Sequence, residues 1–105
     1  MTSLAEVGFL GLSSALLAIG LFGILTRRNF ILLLVAIEIA MNAAILNFVY
    51  FAAFSTSTTG LTGQSIAVVL VGFAATEVAV GLGIVLILNR VKGTINVGQA
   101  VELKL

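Results

Sequence analysis

Three apolar runs, residues 4–25, 30–54 and 65–89, each come close to the ~20 residues that an α-helix needs to cross the hydrocarbon of a bilayer. In lipid a segment has to satisfy its own backbone hydrogen bonds, and a helix does so within itself. The expected fold is therefore an all-α integral membrane protein, a single membrane domain over 1–105 with three transmembrane helices. Composition agrees, since 61% of the 105 residues are hydrophobic and 9% are charged, with a mean hydropathy of +1.30. A soluble domain of this size would need far more charged surface. With so few residues divided among spans, no extramembrane catalytic domain is expected.

Other classes fall away. The net charge of +1 gives no general attraction to nucleic acid or acidic substrates, so the expected surroundings are membrane lipid and protein. Cysteine and histidine are both absent. That removes disulfides, thiol chemistry, haem ligation by histidine, iron–sulfur ligation by cysteine and the usual zinc sites. Residues 1–6 carry an acid rather than a basic leader, and no A-x-A cleavage pattern follows the first run. The first run is expected to be a retained span rather than a signal peptide.

The turn Thr26-Arg27-Arg28-Asn29 is so short that helices one and two must be antiparallel neighbours. The second connection, 55–64, is uncharged and rich in Ser, Thr and Gly, and is expected to be a solvated loop with little structure of its own. The polar tail, 90–105, is too short to fold alone and is expected to lie on a neighbouring surface. Arg27 and Arg28 lie in the first turn, and Arg90, Lys92 and Lys104 lie in the tail, whereas the second connection has no basic residue. The positive-inside rule then puts the first turn and the C-terminus in the cytoplasm and the N-terminus outside. A multi-pass protein of the cell's inner, energy-transducing membrane is expected.

Phe48, Tyr50, Phe51 and Phe54 fall near the outer end of helix two, where an interfacial aromatic belt would sit. Gly8, Gly11, Ala15 and Ala18 form a stripe of small residues on helix one, which marks it as a packing element. Gly72, Gly81 and Gly83 are expected to serve similarly on helix three. There is no proline, so any helix break must come from glycine or a π-bulge. Three helices without a broad polar face cannot enclose a channel, which points to a larger assembly.

Against this background Glu38 and Glu77 stand out as the only acidic or basic residues in the interior of the runs. A charged carboxylate in hydrocarbon costs at least ~3 kcal/mol, so an intramembrane acid usually holds or passes a cation, most simply a proton. Counted from the cytoplasmic helix ends, their Cα atoms are expected about 13 and 19 Å deep, an offset of about 6 Å at about 1.5 Å per residue. Two side chains and one or two waters span that offset if the helices pack with those faces together. Asn42 is one turn beyond Glu38 on the same face and is placed to orient water. Asn47 projects from nearly the opposite side and is the poorer candidate. Thr76, beside Glu77, is expected to return its hydroxyl to the backbone. A purely structural pair of protonated carboxyls between helices is the alternative role.

The stretch Thr26-Arg27-Arg28-Asn29, then Ile37-Glu38, Asn42 and Leu46-Asn47-Phe48-Val49, resembles the second-helix region of subunit K of respiratory complex I, the NADH:quinone oxidoreductase. Ala74-Ala75-Thr76-Glu77-Val78-Ala79-Val80-Gly81-Leu82, with Ile84-Val85-Leu86 and Gly93-Thr94-Ile95-Asn96-Val97, resembles its third helix and tail. The resemblance covers nearly the whole chain. It implies a small membrane-arm subunit that carries no redox centre and contributes to proton translocation. The implied site is the Glu38 and Glu77 carboxylates, supported by Asn42 and the basic turn Arg27 and Arg28. Quinone, flavin and iron–sulfur clusters are expected on other subunits, and the implied partners are other membrane-arm subunits, antiporter-like ones included. The chain departs from the family's usual pattern at Thr76, Ile45 and Gly98, and the apolar Ile45 weighs against a polar path through that point. Related complexes that take electrons from ferredoxin or a reduced deazaflavin share this subunit type.

Two other readings are weighed against this one. The small C subunit of a multisubunit cation/proton antiporter is similar in size but less similar around Glu38 and in the tail. A small multidrug exporter would have four spans, an acid in the first and a richer set of aromatics. Here the first span has no interior acid, tryptophan is absent and there is one tyrosine.

Overall fold

A computed structural model describes residues 3–54, 59–93 and 95–98. Three helices make up almost all of it: α1 Leu4–Thr26, α2 Phe30–Ala53 and α3 Thr59–Lys92. All three are long and apolar enough to cross a membrane. Expectations for 55–58, for Thr94 and for 99–105, Lys104 among them, concern residues outside those described.

Local chemistry sets the helix ends. The Ser3 hydroxyl accepts the Glu6 N–H at 3.1 Å and caps α1. Asn29 caps α2 by accepting from the Ile31 and Leu32 N–H groups at 2.9 and 3.4 Å. Each cap satisfies amide donors that have no partner inside their helix. At its far end α3 stops at Gly93, the one positive-φ glycine among the described residues at φ +66°, whose N–H donates to the Asn89 carbonyl at 2.9 Å. That left-handed closure suits glycine, which lacks a Cβ.

The helices form a thin row with α2 in the middle, α1 on one side and α3 on the other; the molecule measures 56 × 24 × 15 Å. Small residues allow both contacts. A Cβ on Gly20 would lie 2.7 Å from the Ala40 backbone nitrogen and 2.9 Å from the Ala36 carbonyl oxygen, and one on Gly23 would lie 2.6 Å from the Ala36 Cβ. On the other side, Gly81 receives the Leu34 side chain and Gly63 receives Ala52. Ser13, Ala36, Ala43 and Tyr50 are buried along the α1–α2 contact, and Ala52, Ala67, Ala74 and Val85 along the α2–α3 contact.

Several expectations change. The stripe Gly8, Gly11, Ala15 and Ala18 is exposed, and a Cβ on Gly8 or Gly11 would meet nothing within 4 Å. The packed face of α1 is the opposite one, through Ser13, Gly20 and Gly23. On α3, Gly81 is a packing glycine as expected, whereas Gly72 and Gly83 face open space. Tyr50 is buried rather than interfacial, with its ring 4.8 Å from Phe9 and 4.9 Å from Phe54. It ties α1 to α2. Helix α3 begins at Thr59, so residues 59–64 of the expected loop are helical.

The tail also turns back on the chain. After Gly93, the Ile95 carbonyl accepts the Phe30 N–H at 2.8 Å and the Val97 N–H donates to the Arg28 carbonyl at 2.6 Å. This short antiparallel bridge, Asn29 opposite Asn96, lays residues 95–97 on the α1–α2 turn of the same chain.

Candidate functional site

Two anchors fix how α2 and α3 register. Leu34 meets Gly81 and Ala52 meets Gly63, and both intervals, 34 to 52 and 63 to 81, contain the same number of steps. In this antiparallel pair each step along α2 is thus matched by one step back along α3. Four steps from Leu34 reach Glu38; four from Gly81 reach Glu77. The two glutamates stand at one level, and the expected offset of about 6 Å disappears. It was counted from helix ends taken as level, but with Leu34 opposite Gly81 the start of α2 at Phe30 is level with Val85, and α3 runs on beyond that level to Lys92.

The faces differ as well. From Leu34 to Glu38 and from Gly81 to Glu77 the path climbs the same right-handed screw in the same direction, turning each side chain by about 40° in the same sense. Leu34 and Gly81 face one another, so equal rotations carry Glu38 and Glu77 to opposite sides of the α2–α3 seam. The condition set for a water path between them, that the helices pack with those faces together, is not met. Each flanks the contact from its own face of the row.

Their surroundings differ accordingly. Glu38 is half-buried, and its Oε1 is enclosed without a hydrogen-bond partner among the described residues. Glu77 is exposed on the chain's own surface, so the burial expected of it is not supplied by these three helices. Asn42 is exposed one turn beyond Glu38, about 40° further round on the Glu38 side. Thr76 behaves as expected: its hydroxyl donates to the Gly72 carbonyl at 2.9 Å. Arg27 and Arg28 are exposed at the α1–α2 turn, where the Arg28 carbonyl holds the tail.

Asn47 faces α1 as its helical position predicts, but its setting was not foreseen. Its Oδ1 is enclosed and has no partner among the described residues, and it borders a cavity of about 170 Å³ with Ser13, Ser14, Leu17, Ala40, Ala43 and Ala44. The missing signal is on α1, whose two serines, Ser13 and Ser14, line the same cavity. Among the described residues no group of three or more His, Cys, Asp and Glu side chains is placed to hold a metal ion.

The arrangement thus offers one carboxyl to each face of a helical row, at one level, across a seam of small and aliphatic side chains. Each carboxyl is thereby open to groups on its own side of the row. The sequence profile of the family described as NADH-ubiquinone/plastoquinone oxidoreductase chain 4L matches residues 8–104. NADH-quinone oxidoreductase subunit K 2 of Solibacter usitatus (strain Ellin6076) is 40% identical over 104 residues, 99% of each chain. NADH-quinone oxidoreductase subunit K of Bacillus anthracis is 42% identical over 104 residues, again 99% of each chain. The corresponding subunit of Anaeromyxobacter sp. (strain K) is 42% identical over 91 residues, 87% of this chain and 89% of that one.

Proposed function

The chain belongs to the NADH-ubiquinone/plastoquinone oxidoreductase chain 4L family, as subunit K of NADH-quinone oxidoreductase, and from that membership we propose that its glutamates move protons through the membrane arm of the complex. It is a multi-pass membrane subunit that assembles with other subunits of the oxidoreductase and performs no redox step itself. In the proposed mechanism Glu38 exchanges a proton with groups of the neighbour on its side of the row, and Glu77 does so with groups of the neighbour on the other side. The observation that carries this reading is their common level on opposite sides of the α2–α3 seam.

The parts of the mechanism follow from their places. The Glu38 Oε1, enclosed without a hydrogen-bond partner among the described residues, is placed to respond to a cation on a neighbouring subunit. Asn42 orients water on the Glu38 side. Glu77 is covered by a neighbouring antiporter-like subunit rather than by this chain. Arg27 and Arg28 mark the cytoplasmic end, and the chain lies in the plasma membrane with its N-terminus outside. Quinone, flavin and iron–sulfur clusters belong to other subunits.

The antiporter C subunit gains no support, because the family match and the relatives named above are oxidoreductase subunits. The test of the reading is which chains copurify with this one after mild detergent extraction, and whether the isolated assembly reduces quinone. Large antiporter-like subunits and a quinone-site subunit support it. A homodimer or an assembly without quinone reductase activity rejects it.

A further inference from the structure

On the other side of α2, away from Glu38 and α3, the contact with α1 is not uniformly apolar. Asn47 turns its Oδ1 into the cavity it shares with Ser13 and Ser14, and that oxygen has no hydrogen-bond donor among the described residues. Ser13 is buried, and its hydroxyl proton is already committed to the Leu10 carbonyl at 3.1 Å, so it cannot be donated to Asn47. The remaining lining, Leu17, Ala40, Ala43 and Ala44, is aliphatic, and its backbone amides are used within the helices. A buried amide oxygen rarely stays without a donor.

We propose that this cavity is a site for bound water, held between α1 and α2 by Asn47, Ser13 and Ser14. About 170 Å³ admits more than one molecule, since a single water needs roughly 10–15 Å³ of such space together with two to four polar partners. The chemistry matches: water donates to Asn47 Oδ1 and to the free lone pairs of Ser13 Oγ, and accepts from the Ser14 hydroxyl. Ser14 and Leu17 are exposed at the mouth, which gives water a route in from a hydrated neighbour. The site is separate from the glutamate pair. Asn47 lies nine residues along α2 from Glu38, about 13 Å along the axis and turned by about 180°. Helix α2 therefore carries polar chemistry in two places, Glu38 beside the α3 contact and hydrated Asn47 on the α1 contact.

The test is a density map of the assembled complex at a resolution that shows ordered water. The expected result is a water peak about 2.6–3.2 Å from Asn47 Oδ1, within reach of a Ser13 or Ser14 hydroxyl. Asn47→Leu should abolish that peak and leave the density around Glu38 as it was. A side chain of a neighbouring subunit donating directly to Asn47 Oδ1, a lipid tail in the cavity, or an empty cavity in the unaltered complex would each overturn the proposal. Should Asn47→Leu fail to assemble, the map of the unaltered complex still decides.

Discussion

Glu38 and Glu77 stand at the same level of the α2–α3 pair and on opposite sides of its seam, although 38 residues of chain separate them. Both relations follow from which small residue receives which side chain. Leu34 in Gly81 and Ala52 in Gly63 set the level, and the common right-handed screw then sets the faces. In the proposed mechanism both carboxyls therefore exchange protons at one depth of the row.

The close contact of α1 with α2 depends on Gly20 more than on any glycine of the exposed stripe. A methyl there would press on the Ala40 backbone nitrogen and the Ala36 carbonyl, neither of which can move aside. Gly20→Ala is expected to cost about 1–3 kcal/mol by overpacking. Gly81→Ala should cost less, because the atom it meets is the end of the Leu34 side chain, which can change rotamer. The yield and thermal midpoint of the assembled complex should fall in the order Gly20→Ala, then Gly81→Ala. The reverse order would contradict the described packing.

The tail bridge rests on the left-handed turn at Gly93. Gly93→Val places a branched side chain at φ +66°, a strain of about 1–2 kcal/mol. Hydrogen exchange at the Phe30 and Val97 amides should accelerate while amides in the middle of α2 keep their protection. Unchanged exchange at Phe30 would mean that its donation to Ile95 contributes little to holding the tail.

Topology gives a separate check of the proposed orientation. A cysteine placed at Ser57 should react with an impermeant thiol reagent from outside, and one at Thr94 only from the cytoplasmic side. The opposite labelling pattern would invert the orientation drawn from Arg27, Arg28, Arg90 and Lys92.

Relocating a carboxylate probes the Glu38 face. Glu38→Ala with Asn42→Glu shifts the acid by about 6 Å and turns it by about 40° on the same side of the row. It should keep measurable pumping above that of Glu38→Ala alone. Placing the acid at Ala40 is uninformative for this purpose, because Ala40 lies against Gly20 and a glutamate there would force α1 off α2. Equal activity in Glu38→Ala and the relocated variant would point to a unique contact at position 38.

The sequence makes the spans legible because length and apolarity suffice for them, and both boundaries of α1 and the start of α2 fall within a residue of expectation. The isolated acids are equally plain. Which face of α1 packs is not, because the helix is apolar all round and carries small residues on both sides; Gly20 and Gly23 win because Ala36 and Ala40 lie opposite them. The level of Glu77 escapes a count from helix ends because α3 overshoots the start of α2: Phe30 is level with Val85, and α3 runs on to Lys92. The exposure of Glu77 and the enclosure of Asn47 are set by neighbouring helices, which residue spacing within one span does not specify.

The most direct test of the central claim is the number of protons translocated per electron transferred by assembled complexes carrying Glu38→Gln or Glu77→Gln. Glutamine keeps the size and hydrogen bonding of glutamate but cannot ionise, so the fold and the packing of the row are retained. If the two carboxyls take part in proton transfer, both variants reduce quinone with a proton-to-electron ratio well below that of the unaltered complex, or lose coupled turnover altogether. An unchanged ratio in both, at normal assembly, would contradict the account and leave the glutamates a structural role.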